Sequence, residues 1–168
     1  MNRFPRAIRS FAPALSRLLC LVAALAAAQG WAQAPAGADP YQPISGQAGK
    51  DVVWVPTPPA LVEKMLDRAG VTAKDYVVDL GSGDGRNVIA AAKRGARAQG
   101  VEYNQDLVAL SERAAAAEGV AGKAKFVQGD MYQADLSGAT VLALFLLPGN
   151  LRKLTPKFLD LRPAPALS

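Results

Sequence analysis

The sequence predicts an α/β protein built on a doubly wound parallel sheet, and three observations carry that prediction. Short β-branched or apolar runs alternate with Ala-rich stretches of helical length from Asp75 onward. The runs are apolar on both faces, as in strands buried between helix layers rather than half exposed to water. Glycines close the helical stretches at Gly70, Gly95 and Gly119, where a left-handed residue is needed to stop a helix.

The elements follow in order. A first helix is expected from Thr57 as N-cap with Pro58 at the first helical position. Leu61, Val62, Met65, Leu66 and Ala69 recur along it at helical spacing. Tyr76 to Leu80 reads as the first strand, and Arg86 to Arg94 as an Ala-rich helix. Ala98 to Glu102 is a second strand, followed by a helix from Asn104 to Glu118. Lys125 to Val127 is a third strand and Thr140 to Leu147 a fourth. A last helical stretch, Asn150 to Leu161, is expected to be interrupted by Pro156.

Composition narrows the function classes. The chain has 168 residues, with 19 Lys and Arg against 14 Asp and Glu. Four of the arginines (Arg3, Arg6, Arg9 and Arg17) stand in residues 1–34, which carry no acid, so residues 35–168 hold a net charge of only +1. Basicity therefore belongs to the leader and gives no support for a nucleic-acid partner. Arginines, the 11-residue apolar run Leu18 to Ala28 and Ala32-Gln33-Ala34 make the three parts of a secretory signal. The run falls short of the roughly 20 residues that span a bilayer. Residues 1–34 are thus expected to be a cleaved signal peptide leading to a periplasmic or secreted protein. A membrane anchor, with membrane contact if the leader is retained, and a mitochondrial transit peptide are the alternatives. Residues 35–50 read as a flexible N-terminus and 51–168 as the folded domain. Cys20 is the only cysteine and histidine is absent. Imidazole bases, and thiolate chemistry after cleavage, are excluded, and no metal site is expected.

The chemistry-bearing motif follows the first strand, in Asp79-Leu80-Gly81-Ser82-Gly83-Asp84-Gly85. Glycines at alternate positions allow a tight turn and let a ligand approach the backbone at a helix N-terminus. A dinucleotide fingerprint would need glycine where Arg86 stands, and no Gly-Lys-Ser/Thr follows to make a P-loop. Glu102 ends the second strand 21 residues after Gly81, where a carboxylate can accept both hydroxyls of a ribose. Tyr103 and Asn104 adjoin it, and Gly129-Asp130-Met131 follows the third strand.

The glycine loop resembles motif I of the class I S-adenosylmethionine-dependent methyltransferases, whose sheet is a Rossmann-like, seven-stranded one ordered 3-2-1-4-5-7-6. The resemblance implies S-adenosyl-L-methionine as cofactor. Asp79 would help hold its amino group, and Gly81, Ser82, Gly83 and Gly85 would form the loop beneath it. Asp130 would accept from the adenine amino group, with Met131 flanking the ring. Val55-Pro56-Thr57-Pro58, Gly100-Val101-Glu102-Tyr103-Asn104 and Leu144-Phe145-Leu146-Leu147-Pro148, with the loop, resemble the FAM173-type methyltransferases, from about Val52 to Leu161. Characterised animal members are mitochondrial protein-lysine methyltransferases. An amine acceptor, a protein lysine side chain, is implied. A small-molecule methyltransferase and a cofactor-binding remnant are the alternatives.

The chain departs from that family after Leu161. Arg162-Pro163-Ala164-Pro165 stands where a fifth strand is due, and alternating prolines cannot form a buried strand. A C-terminally truncated or frameshifted reading frame is expected, with about four strands and an incomplete acceptor side. The acidic or Asn-Pro-Pro-Tyr residues that grip an amine in this superfamily are absent after the fourth strand, so the catalytic residues stay unknown.

Overall fold

The computed structural model describes residues 41–50 and 53–161. The leader, residues 35–40 and the proline-rich tail 162–168 lie outside the described residues. Four strands form one parallel sheet: β1 (Tyr76–Leu80), β2 (Arg97–Glu102), β3 (Ala124–Gln128) and β4 (Val141–Leu142). Their order is β3-β2-β1-β4, the first part of the order that the resemblance implies. The helices are α1 (Pro59–Arg68), α2 (Arg86–Lys93), α3 (Gln105–Ala117) and α4 (Pro148–Leu159).

Alternation along β1 divides the core. Val77 faces a cluster with Val62 and Leu66 of α1 and Val88, Ala91 and Ala92 of α2. Val78 and Leu80 face Val101, Met131, Leu136 and Leu154 on the other side. Both faces of β1 are covered, which accounts for its unbroken apolar sequence. The chain runs outward from β1 to β3 and then returns to place β4 on the other flank of β1. A crevice opens at such a reversal, beyond the carboxyl ends of the strands.

Three local expectations are corrected. Helix α1 starts one residue later, with Pro58 as N-cap and no side-chain cap. Two consecutive prolines hold Thr57 and Pro58 extended, so the helix cannot begin before Pro59. Thr57 is buried instead, and its carbonyl accepts from Arg86 Nη1 at 2.7 Å. Residues 41–50 make contacts that composition does not display. Gln47 Nε2 donates to the Tyr41 hydroxyl, and Ala48 bridges Val53 in antiparallel fashion. Strand β4 is two residues long rather than eight: Val141 and Leu142 pair with Val77 and Val78, Ala143 N still donates to the Val78 carbonyl, and the chain then leaves the ladder while β1 runs on to Leu80. Finally, α4 continues through Pro156. The missing N–H is at an exposed position in the last turn, while Leu154 and Phe158 anchor the helix to the sheet.

Leu66 and Leu159 provide a test of this core, since they are 1% and 79% exposed. Leu66→Ala is expected to lower the unfolding free energy by about 2–5 kcal/mol in urea titration. Leu159→Ala should change it by no more than about 0.5 kcal/mol.

Candidate active site

The loop after β1 is built from backbone geometry and close packing. Gly81 N and Ser82 N both donate to the Val101 carbonyl of β2, at 2.8 and 3.2 Å, so the loop folds back over the sheet edge. Gly83 and Gly85 have φ of 58° and 79°, in the left-handed region where a side chain is strained. A Cβ on Gly83 would lie 2.6 Å from Trp54 Nε1. One on Gly85 would lie 2.6 Å from the Phe126 ring and 2.8 Å from Ser111 Cβ.

A cleft of about 610 Å³ lies between this loop, residues 47–50 and 53–57, and residues 145–147. Asp79, Gly81, Ser82, Gly83, Glu102, Tyr103, Asn104, Asp130 and Met131 all line it, as the sequence led one to expect. Gly85 does not. Its lack of a side chain lets the loop pack against Phe126 of β3 and Ser111 of α3.

The carboxylates along the cleft sit in different surroundings. Asp79, at the end of β1, is 2% exposed and accepts from Asn87 Nδ2 at 3.0 Å. Burial pushes its pKa up to about 8, against the lowering effect of Asn87, and the negative charges of Glu102 and Asp84 add to the rise. Glu102 is a brace. Its Oε2 accepts from Gly83 N and its Oε1 from Asn104 N, both at 2.9 Å, which ties the glycine loop to the start of α3. Each oxygen keeps a lone pair for a further donor. Asn104 caps α3 by accepting from Asp106 N at 2.8 Å. Asp130 Oδ1 accepts from Tyr132 N at 2.9 Å and Oδ2 pairs with Lys50 Nζ at 2.6 Å. The Lys50 bond, with Tyr132, holds its pKa below the usual carboxylate value.

Several residues that build the cleft or its loop escape a reading of the sequence. Lys50 and Trp54 come from the segment before α1, and Lys50 also lies 4.8 Å from the Tyr103 ring centre. Arg86 pairs with Asp84 and holds the Thr57 carbonyl, fastening that segment to the loop. Ser111 is fully buried in α3, its hydroxyl 3.1 Å from the Gly83 carbonyl and 2.8 Å from that of Leu107. Asn87, next to Asp79, is buried on α2. Only the proximity of Arg86 and Asn87 to the glycine motif could have drawn attention to them.

The residues present suit a nucleoside ligand bearing a cation. Glu102 offers acceptor capacity for a diol, and Asp79 is a buried carboxyl that a cation would ionise. Two buried polar atoms among the described residues, Ser82 Oγ and Asn87 Oδ1, lack partners, and both residues line the cleft.

Residues 79–166 match the ANTKMT methyltransferase domain. The chain belongs to that family. A protein-lysine N-methyltransferase of Saccharolobus islandicus is 42% identical over 108 residues, which span 63% of this chain and 67% of that protein. A human lysine N-methyltransferase, named for the ATP synthase C-subunit, is 44% identical over 81 residues, 48% of this chain and 35% of that protein. The chain thus spans about two thirds of the archaeal relative's length and about one third of the human one's. Among solved structures, an RNA methyltransferase from Salinibacter ruber in complex with S-adenosyl-L-homocysteine superposes with a TM-score of 0.62. It is 47% identical, over 63% of this chain and 70% of that one. The family, the parallel α/β fold and the methyltransferase class expected from the sequence are borne out.

The raised pKa of Asp79 in this methyltransferase domain has a consequence for stability. Between 3.8 and about 8 the folded chain keeps a proton that the unfolded chain has lost. The stability it contributes is full below 3.8 and is lost as pH rises through about 8. In denaturant titrations, wild type should lose stability relative to an Asp79→Asn variant between pH 5 and pH 8. A gap that does not move with pH would mean that Asp79 is ionised throughout.

Proposed function

We propose that this chain transfers a methyl group from S-adenosylmethionine to the side-chain amine of a protein lysine. The observation that carries this reading is the placing of Asp79, Glu102 and Asp130 along one cleft at the carboxyl edge of the sheet. Asp79 holds the cationic amino group, Glu102 accepts from the ribose, and Asp130 with Met131 takes the adenine. The archaeal and human relatives, both named as lysine methyltransferases, support a lysine acceptor.

When bound, the cofactor supplies a methyl on positively charged sulfur, which is also the leaving group. The protein's share is alignment, worth up to about 7–11 kcal/mol in favourable cases. The glycine loop, braced by Glu102 and Ser111, fixes one reactant. Phe145, Leu146 and Leu147 line the same cleft with apolar surface, suited to the methylene stem of a lysine. Stripping water from an amine whose ordinary pKa is about 10.4 favours its neutral, nucleophilic form.

A second reading rests on the RNA methyltransferase among the structural relatives. The near-neutral charge of residues 35–168 speaks for protein instead. Incubation with radiolabelled cofactor should place label in protein, at lysine. Label confined to RNA or small molecules would refute the lysine assignment. The acid-free leader supports export as a further proposal, which cell fractionation with mass measurement of the processed chain tests.

Glu102→Ala is expected to weaken binding of S-adenosylhomocysteine by about 1.5–3 kcal/mol, the range for hydrogen bonds to a charged group. Calorimetry reads the binding, and urea titration of the ligand-free variant reads the bracing of the loop apart from it. Unchanged affinity in the alanine variant would remove Glu102 from the cofactor site.

A further inference from the structure

Asn87 is a buried amide on the wall of the cleft. It is 4% exposed, the second residue of α2, and followed by buried Val88 and Ile89. Its Nδ2 donates to Asp79 Oδ2 at 3.0 Å. Oδ1 is left buried with no partner. An acceptor in that state costs about 1–3 kcal/mol, so its retention beside a ligand cleft points to a donor supplied by the ligand.

The chemistry of the pair limits what that donor is. Asp79 Oδ2 accepts one bond from Asn87 Nδ2, so Oδ1 and a further lone pair of Oδ2 remain for a ligand donor. A hydroxyl has a single hydrogen and cannot serve a carboxylate and an amide together. An ammonium has three donors and a charge, and it can bond Asp79 and Asn87 Oδ1 at once. The neighbouring acids, Glu102 and Asp84, make the same place favourable for a cation.

We propose that Asn87 reads the α-ammonium of the cofactor's amino-acid portion, accepting one N–H at Oδ1 while Nδ2 keeps Asp79 in position. This assignment rests on the cleft's being an S-adenosylmethionine site. It makes Asn87 a specificity-determining residue, one that separates ligands bearing the amino acid from nucleosides without it.

Calorimetry of the whole chain with S-adenosylhomocysteine and with 5′-methylthioadenosine tests this, because the second keeps the thioether nucleoside but has no ammonium. Asn87→Leu should weaken S-adenosylhomocysteine about 10- to 100-fold, the range of a hydrogen bond to a charged group. The same variant should change 5′-methylthioadenosine binding by less than about 3-fold, the size of a lost packing contact of a few tenths of a kcal/mol. Equal weakening of both ligands would show a structural role, and unchanged affinity for both would remove Asn87 from the site. Either result overturns the assignment. Asn87→Asp keeps an acceptor oxygen and serves where the leucine variant does not fold. It should preserve the preference for S-adenosylhomocysteine, and a preference that collapses toward equality overturns the assignment as well. A folded wild type that binds neither ligand refutes the cofactor reading itself, an outcome distinct from a wild type that binds both alike.

Discussion

The site depends on the parallel register of β1 against β2. Asp79 pairs with Gly100 and Leu80 with Val101, so the two strands end at the same edge with Glu102 just beyond. That alignment lets the Val101 carbonyl take two N–H groups from the loop after β1, and it brings Glu102 within reach of Gly83. It also demands a glycine on β2. A Cβ at Gly100 would lie 2.5 Å from Ser82 Oγ, so the loop could not settle against the strand. Shifting the register by one residue would turn Glu102 to the opposite face of the sheet and break the brace.

From this frame follows a division of electrostatic work. Asp79 is sealed beneath the loop and retains its proton at neutral pH, so the fold does not have to hold a bare buried charge there. Asp130 sits near solvent, stabilised as a carboxylate by Lys50 and a backbone N–H. One end of the cleft is therefore ready to ionise against a cation, while the other presents acceptors already organised by the chain. A methyl donor with a charged amino acid at one end and a neutral nucleoside at the other matches that polarity.

Much of this was legible in the sequence. The glycine loop, Glu102 and Asp130 are local signals, set by a short stretch after each strand, and their places in the sheet follow from alternating strands and helices. Apolar character alone misjudged β4, because Leu144 to Leu147 are hydrophobic for the cleft and the core rather than for a ladder. The glycine pattern does not display what stands behind Gly85, since only packing brings Phe126 and Ser111 against it.

The order of elements, the turn chemistry and the carboxylates that end the strands can be read along the chain. These depend on periodicity and on residues close in the chain. The tertiary structure alone decided that Lys50 and Trp54 border the cleft, that Ser111 supports Gly83, and that Asn87 shares Asp79's pocket. Such partners are joined across a sheet or between layers, where register and burial set the contact and no local pattern marks it.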